Sequence, residues 1–180
     1  LMRFLLPRRR VTRNLNRAFG ETYSLATKAG IAKGVQSNFK RSLQDCVLQW
    51  LQPNFVRDRV IISGQEHLDA AQAKGKGVIA LGAHIGNFVL VGSKLGSLGA
   101  PCHILFKLPT HPQFKALLER INCSFIQGII PARPRRIAVN RVLAVLERNE
   151  IVVILADNLK KGKIETSLFG RKVLSPRGPV

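Results

Sequence analysis

The sequence predicts an α/β fold, a mainly parallel sheet flanked by helices, with an amino-terminal helical segment. Three observations carry that expectation. Val78–Ala83 and Ile151–Ala156 are short apolar runs, too brief for comfortable helices, and read as buried strands. Helical patterns of about ten residues alternate with such runs, which implies βαβ units, right-handed crossovers and a sheet covered on both faces. A much longer helical pattern lies ahead of them all. The chain divides accordingly into a basic, helical amino-terminal segment (residues 1–59) and an α/β domain (residues 60–180) that reads as incomplete at its carboxyl end.

In chain order, Leu1–Leu6 followed by Pro7-Arg8-Arg9-Arg10 sets an apolar stub beside three cations. Such a segment either lies on a membrane surface, with Arg at phosphates, or is a frayed basic terminus. From Glu21 to Leu51, Val35, Phe39, Leu43, Cys46, Val47 and Trp50 recur at three- and four-residue spacing, a stripe expected to pack on the core. Gly30 and Gly34 suggest a break in its first half, and Pro53 ends it. Val60-Ile61-Ile62 is expected as a strand, Gln65–Ala73 as a short helix, and Phe88–Leu98 as the helix after Val78–Ala83. Cys102–Phe106 is the next strand, His111–Ile121 a helix, and Ser124-Phe125-Ile126 a short strand. Ile137–Leu146 is a helix with apolar Val139, Val142, Leu143 and Leu146, leading into Ile151–Ala156. Ile164–Leu174, with Gly170-Arg171 inside it, suggests a hairpin.

A chain of 180 residues can bury a real core, and 46% apolar content places it among globular proteins. The formal charge of +19 implies an anionic partner: phospholipid headgroups, nucleic acid or an acidic protein. Nucleic acid is disfavoured, because aromatic residues make up only 6% and no ribonucleoprotein, helix-turn-helix or finger motif is present. Cys46, Cys102 and Cys123 are unevenly spaced with no Cys-x-x-Cys pair, so neither a disulfide framework nor a metal site is expected. A reducing compartment fits that usage best. No apolar run reaches the ~18 residues of a spanning helix. Both ends look cut, which leaves room for an anchor before Leu1.

The most informative stretch runs from Gly77 to Val89. It places His84 at the carboxyl end of a strand, on the turn into a helix, where open α/β sheets gather their ligands. An imidazole there can take a proton near neutral pH, or it can simply close the turn. His67, His103 and His111 match no catalytic spacing and read as structural or solvated.

Around that stretch, Ser63-Gly64-Gln65-Glu66-His67-Leu68, Gly75-Lys76-Gly77-Val78 and Ala83-His84-Ile85-Gly86-Asn87-Phe88 resemble the bacterial lipid A biosynthesis acyltransferases, part of the lysophospholipid acyltransferase superfamily. Leu6-Pro7-Arg8-Arg9-Arg10 and Asn14-Leu15-Asn16-Arg17-Ala18-Phe19 are similar to that family's amino-terminal region. Ala156-Asp157-Asn158 resembles its Asp-Gln element, while Leu168-Phe169-Gly170 and Ser175-Pro176-Arg177-Gly178-Pro179 resemble its Phe-Phe-Gly and Thr-Pro-x-Gly-Pro segments. The set is collinear over nearly the whole chain. The resemblance implies a glycerolipid-acyltransferase-like fold at the cytoplasmic face of the inner membrane, with no cofactor. It implies transfer of a fatty acyl group from acyl carrier protein, or coenzyme A, to a hydroxyl of a lipid A precursor or related anionic membrane lipid.

The family's His stands five residues before a Glu or Asp; His84 matches the His, and the acid's position is Val89. Residues five apart on one helix differ by roughly 140°, so such a pair meets only if the His lies in the loop before the helix. The His would deprotonate the acceptor hydroxyl while the carboxylate fixes its tautomer, and backbone N–H groups at the helix start would support the oxyanion. With Val89 in place, three outcomes are open. Asp157, which also follows a buried strand, substitutes as the acid; a backbone carbonyl holds the ring; or the chain is a weak or inactive lipid-binding relative. A basic nucleic-acid-binding protein is the remaining alternative. Asn87 in the helix entry, Lys107, Arg120, and the stiff loop bearing Arg133, Arg135 and Arg136 are expected at the substrate, the cations toward an acceptor phosphate. Lys107 and Arg120 also read as solvent-facing cations. Lys160, Lys161 and Lys163 add a second basic loop, and most cations would act together as a membrane field.

Overall fold

A computed structural model describes residues 8–52, 54–99, 101–107, 126–157 and 164–175. The expected Leu1–Leu6 stub, the His111–Ile121 helix, Arg120, Ser124-Phe125 and the Lys160–Lys163 loop lie outside the described residues.

Strands β1 (Val78–Gly82), β2 (Cys102–Phe106), β3 (Ile126–Pro131) and β4 (Ile151–Leu155) form one sheet, all parallel, in the order β1-β4-β2-β3. The last strand in sequence is thus inserted between the first two. Its residues explain the placement: all are apolar, and Ile151 through Ile154 are buried. Ile151 and Val153 pack on one face with Cys102, Leu68 and Leu95; Val152 and Ile154 pack on the other with Ile130, Val142 and Val145. Each such side chain taken from water stabilises the fold by about 1.5–3 kcal/mol. An apolar run without alternation belongs in the middle of a sheet.

Six helices surround the sheet among the described residues: α1 (Arg8–Phe19), α2 (Leu25–Leu51), α3 (Phe55–Arg59), α4 (Gln65–Gln72), α5 (Phe88–Gly96) and α6 (Arg135–Glu147). A hairpin of β5 (Ile164–Leu168) and β6 (Arg171–Ser175) follows, turning at Phe169-Gly170. Helix α2 starts four residues later than expected, because the Ser24 hydroxyl accepts from the Thr27 amide and caps it there. Gly30 and Gly34 do not break it: both sit within the continuous helix, facing open space.

Three expectations are corrected. Val60-Ile61-Ile62 is not a strand; Val60 closes the short α3, and Ile61 is 91% exposed and joins neither sheet. Of the strand expected at Ser124-Phe125-Ile126, only Ile126 lies within the described residues, and it opens β3, which continues to Pro131 through a glycine. Gly128 suits this close approach, since a Cβ would lie 3.1 Å from the His103 ring. The α2 stripe is rotated off the core: Val35, Leu43, Val47 and Trp50 are exposed, while Lys28, Ala32 and Gln49 are buried. Helix α6 buries Ala138, Val142 and Val145, with Leu146 packed beside them and Leu143 exposed. Finally, β1 is not covered on both faces, for Ile79 and Leu81 are exposed, and among the described residues it ends the sheet.

Two contacts tie α2 to α5. Gln49 Nε2 donates to Ser93 Oγ at 2.8 Å, both buried, and Asn87 Nδ2 donates to the Ser42 carbonyl and to Asp45 Oδ2 at 3.3 and 3.2 Å. The turn entering α5 is thereby held against the long helix.

Candidate active site

Strands β1 and β4 run parallel in a register that pairs Gly82 with Leu155, and the Ala156 amide donates to the Gly82 carbonyl at 3.0 Å. Two residues beyond each strand end, the chains carry His84 and Asp157 side by side. The β1–α5 loop turns sharply here: the Ile85 amide donates back to the Ala83 carbonyl at 2.8 Å, and Gly86 takes φ +60°, a conformation that suits glycine.

His84 Nδ1 lies 2.7 Å from Asp157 Oδ1, and the His84 backbone amide donates to Asp157 Oδ2 at 2.8 Å. One carboxylate therefore grips both the ring and its backbone. Burial acts to raise the Asp157 carboxyl, but the hydrogen bonds from the His84 ring and amide, with the imidazole's charge, outweigh it and hold the carboxyl below its ordinary range. An ionised carboxylate only accepts, so Nδ1 must carry the proton that bridges the pair. In the neutral ring this leaves the Nε2 lone pair free to take a proton. The side chains are half-exposed, at 51% for His84 and 38% for Asp157. The Phe88 ring stands edge-to-face against the imidazole, centroids 4.9 Å apart, and limits its rotation.

Val89 lies on the first turn of α5, one residue past Phe88, and is half-buried. The acid that faces His84 arrives from the neighbouring strand instead. Asn87 stands at the N-cap position of α5 but makes no capping bond; its amide is turned toward Ser42 and Asp45 of α2. The amides of the first turn of α5 consequently lack a side-chain acceptor from their own cap. Asp45 was not anticipated, although it is the only acid between Glu21 and Asp58, a signal the sequence does carry.

Lys107 directly follows β2, Arg133 follows β3, and Arg135 and Arg136 occupy the first turn of α6, all exposed. Because the sheet is parallel, these strand ends lie at the same edge as His84 and Asp157. The first turn of α6 carries no acid, and its N-cap is Pro134, joined to Arg133 by a cis peptide bond. Arg120 lies outside the described residues. Among the described residues no cluster of three or more His, Cys, Asp or Glu side chains is placed to hold a metal, and no helix is long and apolar enough to cross a membrane.

His103 also meets a carboxylate, Glu150, but at the amino edge of the sheet, with Nε2 2.8 Å from Oε2. Arg148 donates to both oxygens of the same carboxylate. His67 is exposed, 4.0 Å from Glu66.

No curated protein matches the chain. The family model for bacterial lipid A biosynthesis acyltransferase matches residues 2–179, so the chain belongs to that acyltransferase family.

Proposed function

We propose that the chain transfers a fatty acyl group from an acyl carrier protein or coenzyme A thioester to a hydroxyl of a lipid A precursor or related anionic lipid, with His84 as general base. The observation that carries this reading is the His84–Asp157 pair, closed at 2.7 Å at the carboxyl edge of the sheet while the ring stays half-exposed. In this scheme His84 Nε2 takes the proton of the acceptor hydroxyl as its oxygen attacks the thioester carbonyl. The carbon–sulfur bond then breaks, the imidazolium returns the proton to the leaving thiolate, and the products are an ester and a free thiol. Asp157 positions the ring and stabilises the imidazolium. The uncapped amides at the start of α5 suit the oxyanion of the tetrahedral intermediate. Asn87 acts through position, holding that helix start on α2.

Exposed Leu81 and Ile85 flank His84 in sequence and offer apolar surface to an acyl chain. Lys107, Arg133, Arg135 and Arg136, at the same edge, suit phosphates on the acceptor, where Arg can bind bidentately. The reading places the chain at the cytoplasmic face of the inner membrane.

The test is His84→Ala, assayed for transfer from acyl carrier thioester to lipid A precursors. Turnover should fall by roughly 10²–10⁴ or more, with thermal stability near wild type because the ring is half-exposed. Retention of wild-type turnover would remove His84 from the chemistry.

A further inference from the structure

We propose that the cationic face of α1, together with Arg171 of β6, is a docking site for the phosphates of anionic phospholipid headgroups. It deepens, and rests on, the reading that the chain works at a membrane, but it does not depend on His84.

Arg9, Arg13, Asn16 and Arg17 recur along one face of α1 and, with Thr12 and Arg171, line an open groove of about 700 Å³. The opposite face, Val11, Leu15, Ala18 and Phe19, is half-buried against the protein. The Phe19 ring lies 4.9 Å from both Tyr23 and Phe169. With its apolar side occupied, this helix can meet a bilayer only through its cations, unlike an amphipathic helix that inserts. The groove is held in shape from its carboxyl end. Arg171 Nε donates to the Ala18 carbonyl at 3.1 Å, and buried Lys28 donates Nζ to the Gly20 carbonyl at 2.6 Å, both favoured at the negative end of a helix.

The other end is electrostatically uncompensated. The first turn of α1 has no acid, and among the described residues no carboxylate pairs with Arg9, Arg13 or Arg17. Cations at the positive end of a helix repel it, and a bound anion relieves both terms. Among the described residues no aromatic ring lines the groove to offer the stacking that single-stranded nucleic acid relies on, whereas headgroup phosphates need only charge and guanidinium donors.

The experiment is partitioning of the full chain onto mixed phosphatidylcholine–phosphatidylglycerol vesicles and onto pure phosphatidylcholine vesicles. The wild type should bind only the mixed vesicles. The triple variant Arg9→Gln, Arg13→Gln, Arg17→Gln should lose on the order of 100-fold, about five-fold for each cation near an anionic surface. Arg→Lys at the same three positions should keep binding within a few-fold. A triple with equal charge loss elsewhere, Lys74→Gln, Lys76→Gln, Arg141→Gln, should lose far less. Equal losses in the two Gln triples would replace the groove by a general field and overturn the proposal. So would loss in the Lys triple, or displacement from vesicles by RNA binding more tightly. His84→Ala should bind vesicles like the wild type, so the docking and transfer readings fail separately; a wild type that binds neither vesicle would overturn the membrane reading as well.

Discussion

Two histidine–carboxylate pairs of nearly equal length, 2.7 and 2.8 Å, sit at opposite edges of one parallel sheet. At the carboxyl edge, Asp157 holds His84 through both ring and backbone, and the imidazole is half-exposed. At the amino edge, His103 and Glu150 are each 15% exposed, and Glu150 also takes the Arg148 fork. That fork is the main reason its carboxyl is held below the ordinary range, the His103 bond adding to it against the opposing effect of burial. The remaining nitrogen of His103 faces the β3 backbone at Gly128. A short hydrogen bond therefore does not mark a catalytic pair. The two pairs differ in the exposure of the ring and in the Arg148 fork on Glu150, and the proposed role of His84 rests on the first difference.

The sharpest way to break this contrast is Asp157→Asn. We expect kcat to fall by up to about 10⁴ as the ring loses its tautomer, with KM little changed and the downfield Nδ1–H resonance displaced. An equal rise in KM without loss of kcat would make Asp157 a binding residue and erase the distinction.

Glu150→Gln tests the other pair, and should cost about 1–3 kcal/mol of stability by replacing one of the two oxygens that Arg148 and His103 share with an NH2 donor and removing the charge. Turnover per folded molecule should not change. Because the folded Glu150 carboxyl titrates below its unfolded counterpart, its contribution is complete above the ordinary carboxyl range and fades as pH falls through the lowered value. The wild type should thus lose stability on acidification more steeply than Glu150→Gln, as followed by melting temperature against pH. Parallel curves would show that the amino-edge pair is not a stabilising one.

The smallest effect belongs to Val89→Glu. With Nδ1 already bonded to Asp157, restoring the acid on α5 should move turnover within about threefold. A gain of orders of magnitude would mean that the β4 carboxylate is an inadequate partner.

These expectations rest on features that differ in how far they could be read from the chain. Periodicity gave β2 residue for residue, and β1, β4, α4 and the hairpin nearly so, because apolar runs and glycine turns are local signals. The buried face of α2 is not the one its apolar stripe suggests, since which stripe is buried depends on what lies opposite. Local apolarity also suggested a strand at Val60-Ile61-Ile62, but a strand exists only if an edge is available to pair with it. At the site, His84 in a loop before a helix was legible from Gly86-Asn87 and the apolar run ahead of it. Asp157 could be proposed because it too follows a buried strand, and nothing in the sequence alone placed it beside β1.

By itself, then, the sequence determined an α/β chain of high positive charge, with an imidazole at the end of its first strand and the collinear motifs of an acyltransferase family. The tertiary structure decided the strand order. Inserting β4 between β1 and β2 makes residues 84 and 157 neighbours across seventy-three positions and sets the Asp157 carboxylate 2.7 Å from the imidazole. The reason is that a parallel ladder aligns the ends of strands that are distant in sequence, and only the packing of whole elements selects which strands are adjacent.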